Sequence, residues 1–278
     1  MVSDQFPDFS PVFEKLRAEL AALRGEYADL LSAYAELSGP VRANLETLYM
    51  VHLGRLEYRI FSQQVAIRRV RREISLYQAA ANSGERVDPE TVERTVTAEF
   101  AEYTAQLKAK KAELQRADEL YLAKKLSAED SKALKELYHD LVKKLHPDLN
   151  PDLPPKAKEI WLRIVDAYKH GDWIELNILA DMAYDLLVGR KVPGVEETDS
   201  LEALRRDLRS LKKKKRDLCA RISDMKSHPP FSLMELLSDP DAVAQRKQEL
   251  MALIRRNESW LNELEEMRDD LRKEVAGS

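Results

Sequence analysis

Ser131-Lys-Ala-Leu-Lys-Glu-Leu-Tyr-His-Asp-Leu-Val-Lys-Lys-Leu-His-Pro-Asp148 is the stretch that decides how the middle of this chain folds. Leu134, Leu137, Tyr138, Leu141 and Leu145 recur at the three- and four-residue spacing of one helical face. Lys132, Lys135, Lys143 and Lys144 fall mostly on the other face. Ser127-Ala-Glu-Asp130 reads as a capping-box start. Pro147 disfavours helical backbone at His146 and so ends the helix there. Prolines 151, 154 and 155 stiffen the loop that follows. A second stripe, Ile160, Ile164, Ala167 and Tyr168, then predicts a helix over 156–168.

On both sides of this segment the stripes are longer. The N-terminal part predicts a helix over about 11–37, striped by Phe13, Leu16, Leu20, Leu23, Tyr27, Leu30, Tyr34 and Leu37. Pro11 suits its first position, with Ser10 as cap. Ser38-Gly39-Pro40 is read as its end. A second helix, about 41–81, carries an apolar seam from Tyr49 to Tyr77, broken by Gln63. Asn82-Ser83-Gly84 stops it, and Asp88-Pro89 supplies a cap and an N1 proline for a third helix running to about Leu126. The last two form an expected antiparallel hairpin. Leu201, Leu204, Leu208, Leu211, Lys215, Leu218, Ile222 and Met225 are heptad-spaced. Asp239-Pro240 opens a final helix with Val243, Leu250, Ile254, Asn257, Leu261, Leu264 and Leu271. A second antiparallel hairpin is expected there.

These readings predict an all-α fold: long antiparallel coiled-coil hairpins flanking a small helical module. The expected divisions are 1–117, 118–190 and 199–278. Composition agrees, with 34% charged residues and only 8 glycines among 278 residues. A net charge of −4 points to no particular partner. The single cysteine, Cys219, allows no internal disulfide framework and fits a reducing compartment. No basic-then-apolar N-terminal signal appears, and no apolar run approaches the ~20 residues needed to span a bilayer. A cytoplasmic protein without membrane association is the expectation.

The helix, the His146-Pro147-Asp148 loop and the second helix resemble a J-domain, over about residues 118–187. J-domains are the modules through which co-chaperones stimulate heat-shock ATPases. By matching, Tyr138 and Leu141 stand at the family's helix-II Tyr and core Leu, His146, Pro147 and Asp148 at its signature tripeptide, and Ala167-Tyr168 at its third-helix Ala-Tyr. The resemblance implies that Lys135, Tyr138, Lys143, Lys144, His146, Pro147 and Asp148 bind the ATPase, with the lysines steering and the module doing no chemistry of its own. The coiled coils would bind a client or scaffold. The chain departs from the pattern in three places. His139 and Asp140 stand where the family has two basic residues, Lys125-Leu126 where it has a glycine after the first helix, and His170-Gly171-Asp172-Trp173 where it has a basic end to helix III. The alternative is a structural interaction protein whose J-like module no longer stimulates an ATPase.

Other features have blander readings. His139 and His146 are about 10 Å apart along a helix, too far for one metal ion. Arg205 to Arg216 form a basic run that reads as a solvated coiled-coil face, making nucleic acid an unlikely partner. Cys219 lacks the constellation of a nucleophile. No glycine-rich phosphate loop or nucleophile elbow is present. The expectation is no enzyme, no cofactor and no metal.

Overall fold

The computed structural model describes residues 10–84, 86–122, 128–187 and 201–277. These residues are helical wherever they are regular, with no strand among them. Ser10–Glu36 is α1 and Arg42–Tyr49 is α2, joined by a π-type turn at Leu37–Val41. Gly39 and Pro40 therefore end α1 at a kink, as the sequence predicts, and a new helix starts beyond them. Gly39 departs from helical angles (φ −109, ψ −105), and a Cβ placed on it would come within 3.1 Å of the Lys169 backbone. A second π-type turn, Met50–Gly54, leads into α3, Arg55–Ser83. Gly84 closes α3 in the left-handed region at φ 69, the usual helix C-terminal device. Asp88 caps α4, Pro89–Glu99, by accepting from the Glu90 amide. Phe100 interrupts the helix before α5, Ala101–Leu122.

Next come α6, Ala128–Leu145, α7, Pro155–His170, and α8, Trp173–Leu187. The Ser127 cap lies outside the described residues. Asp172 starts α8 by accepting from the Glu175 amide at 2.9 Å. Leu201–Ser227 is α9, Met234–Ser238 is α10 and Pro240–Gly277 is α11. Asp239 caps α11 through the Asp241 amide.

The chain divides into two compact units, each assembled from two stretches. The first comprises Met1–Asn44 and Lys124–Ser232, the second Leu45–Ala123 and Leu233–Ser278. The three consecutive segments expected from the sequence are therefore not the compact units. In the first unit α9 packs along α1, and in the second α11 packs along α3. The expected hairpin of α9 against α11 is replaced by these pairings.

Both pairings are parallel. Lys212 bonds Glu19 and Lys215 bonds Glu26, 193 and 189 residues apart. In the second unit Gln63 donates to the Ile254 carbonyl across 191 residues and Arg268 donates to Glu73 across 195. A near-constant offset with both numbers rising requires parallel helices, and these need a long crossover between them. Within the second unit α4 and α5 run back along α3: Tyr77 clusters with Val92 and Val96, and Arg55 bonds Asp118. Gln63 and Asn257 were read from the sequence in different hairpins but share the α3–α11 seam. Their Oε1 and Nδ2 atoms are buried without a partner among the described residues. Such a polar layer favours one register at a cost in stability.

Candidate functional site

Within the first unit α6, α7 and α8 surround an apolar centre of Leu141, Val142, Leu145, Ile164, Leu176 and Leu179, all fully buried. Tyr138 is 3% exposed. Its ring stacks on Tyr168 at 3.9 Å between centroids and lies 5.8 Å from Trp161. The resemblance made Tyr138 a partner-binding residue, but the structure uses its side chain as packing. Burial of the hydroxyl explains why the Tyr168 phenol is pushed up to about 12 and Tyr138 higher still.

The loop between α6 and α7 is tightly organised. The Leu149 and Asn150 amides both bond the His146 carbonyl, closing a turn around Pro147. Asn150 is 2% exposed, and its Nδ2 donates to the Lys143 carbonyl at 2.9 Å and to the His146 carbonyl at 3.4 Å. It thereby satisfies carbonyls left open at the end of α6. No signal in the sequence singled out Asn150. Asn150→Ala should cost about 0.5–1.5 kcal/mol, since it removes the side-chain donor to the Lys143 carbonyl, which Pro147 has no amide to serve; a denaturant titration measures this, and an unchanged midpoint contradicts the capping role.

His146 is only partly exposed. Its ring meets Trp161 edge-on at 5.3 Å, and its Nδ1 accepts from the Asp148 amide at 3.1 Å. Asp148 has both carboxylate oxygens engaged. Tyr27 of α1 donates to Oδ2 at 2.8 Å, and Lys214 of α9 donates to Oδ1 at 2.7 Å. Arg24 of α1 donates to the Leu149 carbonyl. Three lysines of the basic run, 212, 214 and 215, thus bond α1 or the loop, a use beyond the solvated face read from sequence. The signal that could have found Tyr27 and Arg24 is weak. Tyr27 lies on the α1 stripe, which had no assigned partner, and Arg24 is a charged residue beside it.

The lysines of α6 differ among themselves. Lys135 bonds Glu36 of α1, and Lys144 bonds Asp140 at 2.7 Å while lying over the Tyr184 ring. Lys143 is exposed. His139 and Asp140, which stand where the J-domain pattern has basic residues, are both bonded inside the unit. His139 meets Asp29 at 2.7 Å, and Asp140 accepts from Tyr184 of α8 at 2.5 Å.

The electrostatics follow from these contacts. Burial holds the His146 imidazole below its ordinary value of 6.5, against the pull of Asp148 and with the help of Lys214. For Asp148 burial acts upward, but hydrogen bonds from Lys214 and Tyr27, with the charges of Lys214 and His146, outweigh it and lower the carboxyl below 3.8. Both groups make the fold acid-sensitive. A depressed His146 contributes its full stability above about pH 6.5 and loses it as pH falls through its folded value. Asp148 contributes above its unfolded value and loses that as pH falls through its own lower one. Wild type should therefore lose more stability than His146→Gln between about pH 7.5 and about pH 5. Equal losses in urea titrations would show that His146 is not held neutral.

A cavity of about 370 Å³ lies where α1 and α9 face the loop, lined by Tyr27, Tyr34, His146, Trp161, Lys214 and Arg221 among others. Among the described residues no three His, Cys, Asp or Glu side chains converge to hold a metal ion. None of their helices is long and apolar enough to cross a membrane. Comparison with protein-family models, with curated proteins and with solved structures finds no match, so the functional reading rests on the loop's own residues and contacts.

Proposed function

We propose that this chain is a J-domain-like co-chaperone that docks on a heat-shock ATPase through His146, Pro147 and Asp148. The observation that carries the reading is the ordered His-Pro-Asp turn, stapled by the two amides bonded to the His146 carbonyl, between two helices that share one aromatic core. In this role the module moves no atoms of substrate, and hydrolysis belongs to the partner. Lys143 and Lys144 would supply positive charge that speeds encounter with an acidic face. The paired helices outside the module would hold a client or scaffold. A reducing cytoplasm suits the single cysteine.

The second reading is an adaptor whose module does not stimulate. The bonding of His139 and Asp140 to Asp29 and Tyr184 favours it, because those positions are taken up by the protein's own packing. ATP turnover by a purified heat-shock ATPase, with and without this protein, separates the two. Stimulation is expected from wild type and its loss from His146→Gln, with circular dichroism showing that the variant remains folded. Equal turnover with wild type, His146→Gln and chaperone alone leaves only the adaptor.

A further inference from the structure

We propose that α1 and α9 form a built-in cap on the His-Pro-Asp loop, and that the ATPase must displace its polar ties to dock. The inference rests on the co-chaperone reading above. Both oxygens of Asp148 are occupied, one by Tyr27 and one by Lys214, from two different helices. The next carbonyl along, that of Leu149, is taken by Arg24. The same cap reaches down the outer side of α6, where Asp29 bonds His139 and Glu36 bonds Lys135. Asp148, the Leu149 carbonyl, His139 and Lys135 thus each have a partner on α1 or α9.

The chemistry of the cap is reversible by design of its parts. Lys214 and Asp148 are each more than a third exposed, at 41% and 37%. Exposed ion pairs hold weakly and exchange readily. The apolar side of the cap is firmer: Leu20, Leu23 and Tyr27 of α1 are buried in the same core as Leu204, Leu208 and Leu211 of α9. That core also takes in Leu149 of the loop and Leu141 and Leu145 of α6, so the two helices stay packed against the module, and what a partner displaces is the polar ties over Asp148 and the Leu149 carbonyl. A binding surface available only part of the time lowers apparent affinity by the fraction available. It does not change what happens once the complex has formed.

That separation defines the test. Tyr27→Phe with Lys214→Ala removes both ties to Asp148 and leaves the loop, α6 and the apolar seam in place. Two readouts are taken on the full chain: hydrogen exchange of the Leu149 and Asn150 amides, and ATP turnover of a purified heat-shock ATPase titrated with the protein. The expected result is faster exchange at those amides and a half-maximal concentration about three- to tenfold lower, with the maximal rate unchanged. Lys214→Arg alone, which keeps the cation, should behave as wild type. Unchanged exchange in the double variant overturns the cap, because the ties then do not hold the loop. Faster exchange with an unchanged half-maximal concentration overturns it as a competitor but leaves the co-chaperone reading standing. Faster exchange with no stimulation by any form sinks the co-chaperone reading, and the cap, with nothing to exclude, falls with it.

Discussion

Tyr138→Ala should destabilise the first unit by about 3–5 kcal/mol, the range for removing a large buried aromatic. Tyr138 is 3% exposed, and it stacks almost flat on Tyr168, at an interplanar angle of 13°. The truncation removes that contact and the one to Trp161, and it leaves a void between α6 and α7. Trp161 also supports the edge of His146, so the loop should loosen with the core. Tyr138→Phe keeps both ring contacts and should cost far less. Denaturant titration of the two variants checks this. An alanine variant as stable as wild type would return Tyr138 to the surface role that the resemblance implies. The expected result also carries a warning for functional assays, because loss of ATPase stimulation in Tyr138→Ala would report unfolding and not a lost contact.

Leu208→Asp should open the seam between α1 and α9. Leu208 is 4% exposed and sits between Leu204 and Leu211 on the buried side of α9. A carboxylate placed there has no partner, and burying an unpaired charge costs several kcal/mol unless the group neutralises or the seam parts. Hydrogen exchange should therefore rise along both 10–36 and 201–227, and the first unit should melt earlier. Arg209→Asp changes charge at an exposed position and should stay within about 0.5 kcal/mol of wild type. Protection lost along α11 in place of α1 would contradict the parallel pairing. It would instead restore the hairpin that heptad spacing suggests.

Much of the local structure was legible from residues alone. The stripe from Leu134 to Leu145 turned inward as a helix face, and Gly84, Asp88, Asp172 and Asp239 punctuate the chain as their chemistry requires. Those signals act over four or five residues, the range of a cap or a helical turn, so they survive in a linear reading. Gly39 and Pro40 act in the same way, since α1 ends at the kink they make and a new helix starts beyond it. The loop residues His146, Pro147 and Asp148 were identifiable because they form a contiguous motif. Tyr27, Arg24 and Lys214 were not, because each matters only through a group far away in sequence, and Asn150 was not, because a lone asparagine in a proline-rich loop has no distinctive pattern.

The all-α class, the helix faces and the position of the His-Pro-Asp turn were determined by the sequence itself, through side-chain periodicity and backbone chemistry. Which stripe meets which was decided only in three dimensions. A heptad stripe states that a face must be buried, but it does not name its partner, and the stripes of α1, α3, α9 and α11 are similar enough to serve one another. Parallel pairing became available because α2 to α8 lie between α1 and α9, and α4 to α10 between α3 and α11, as long crossovers. That choice brought Tyr27 and Lys214 to Asp148, so the surroundings of the motif follow from the tertiary path of helices about 120 and 65 residues away in sequence.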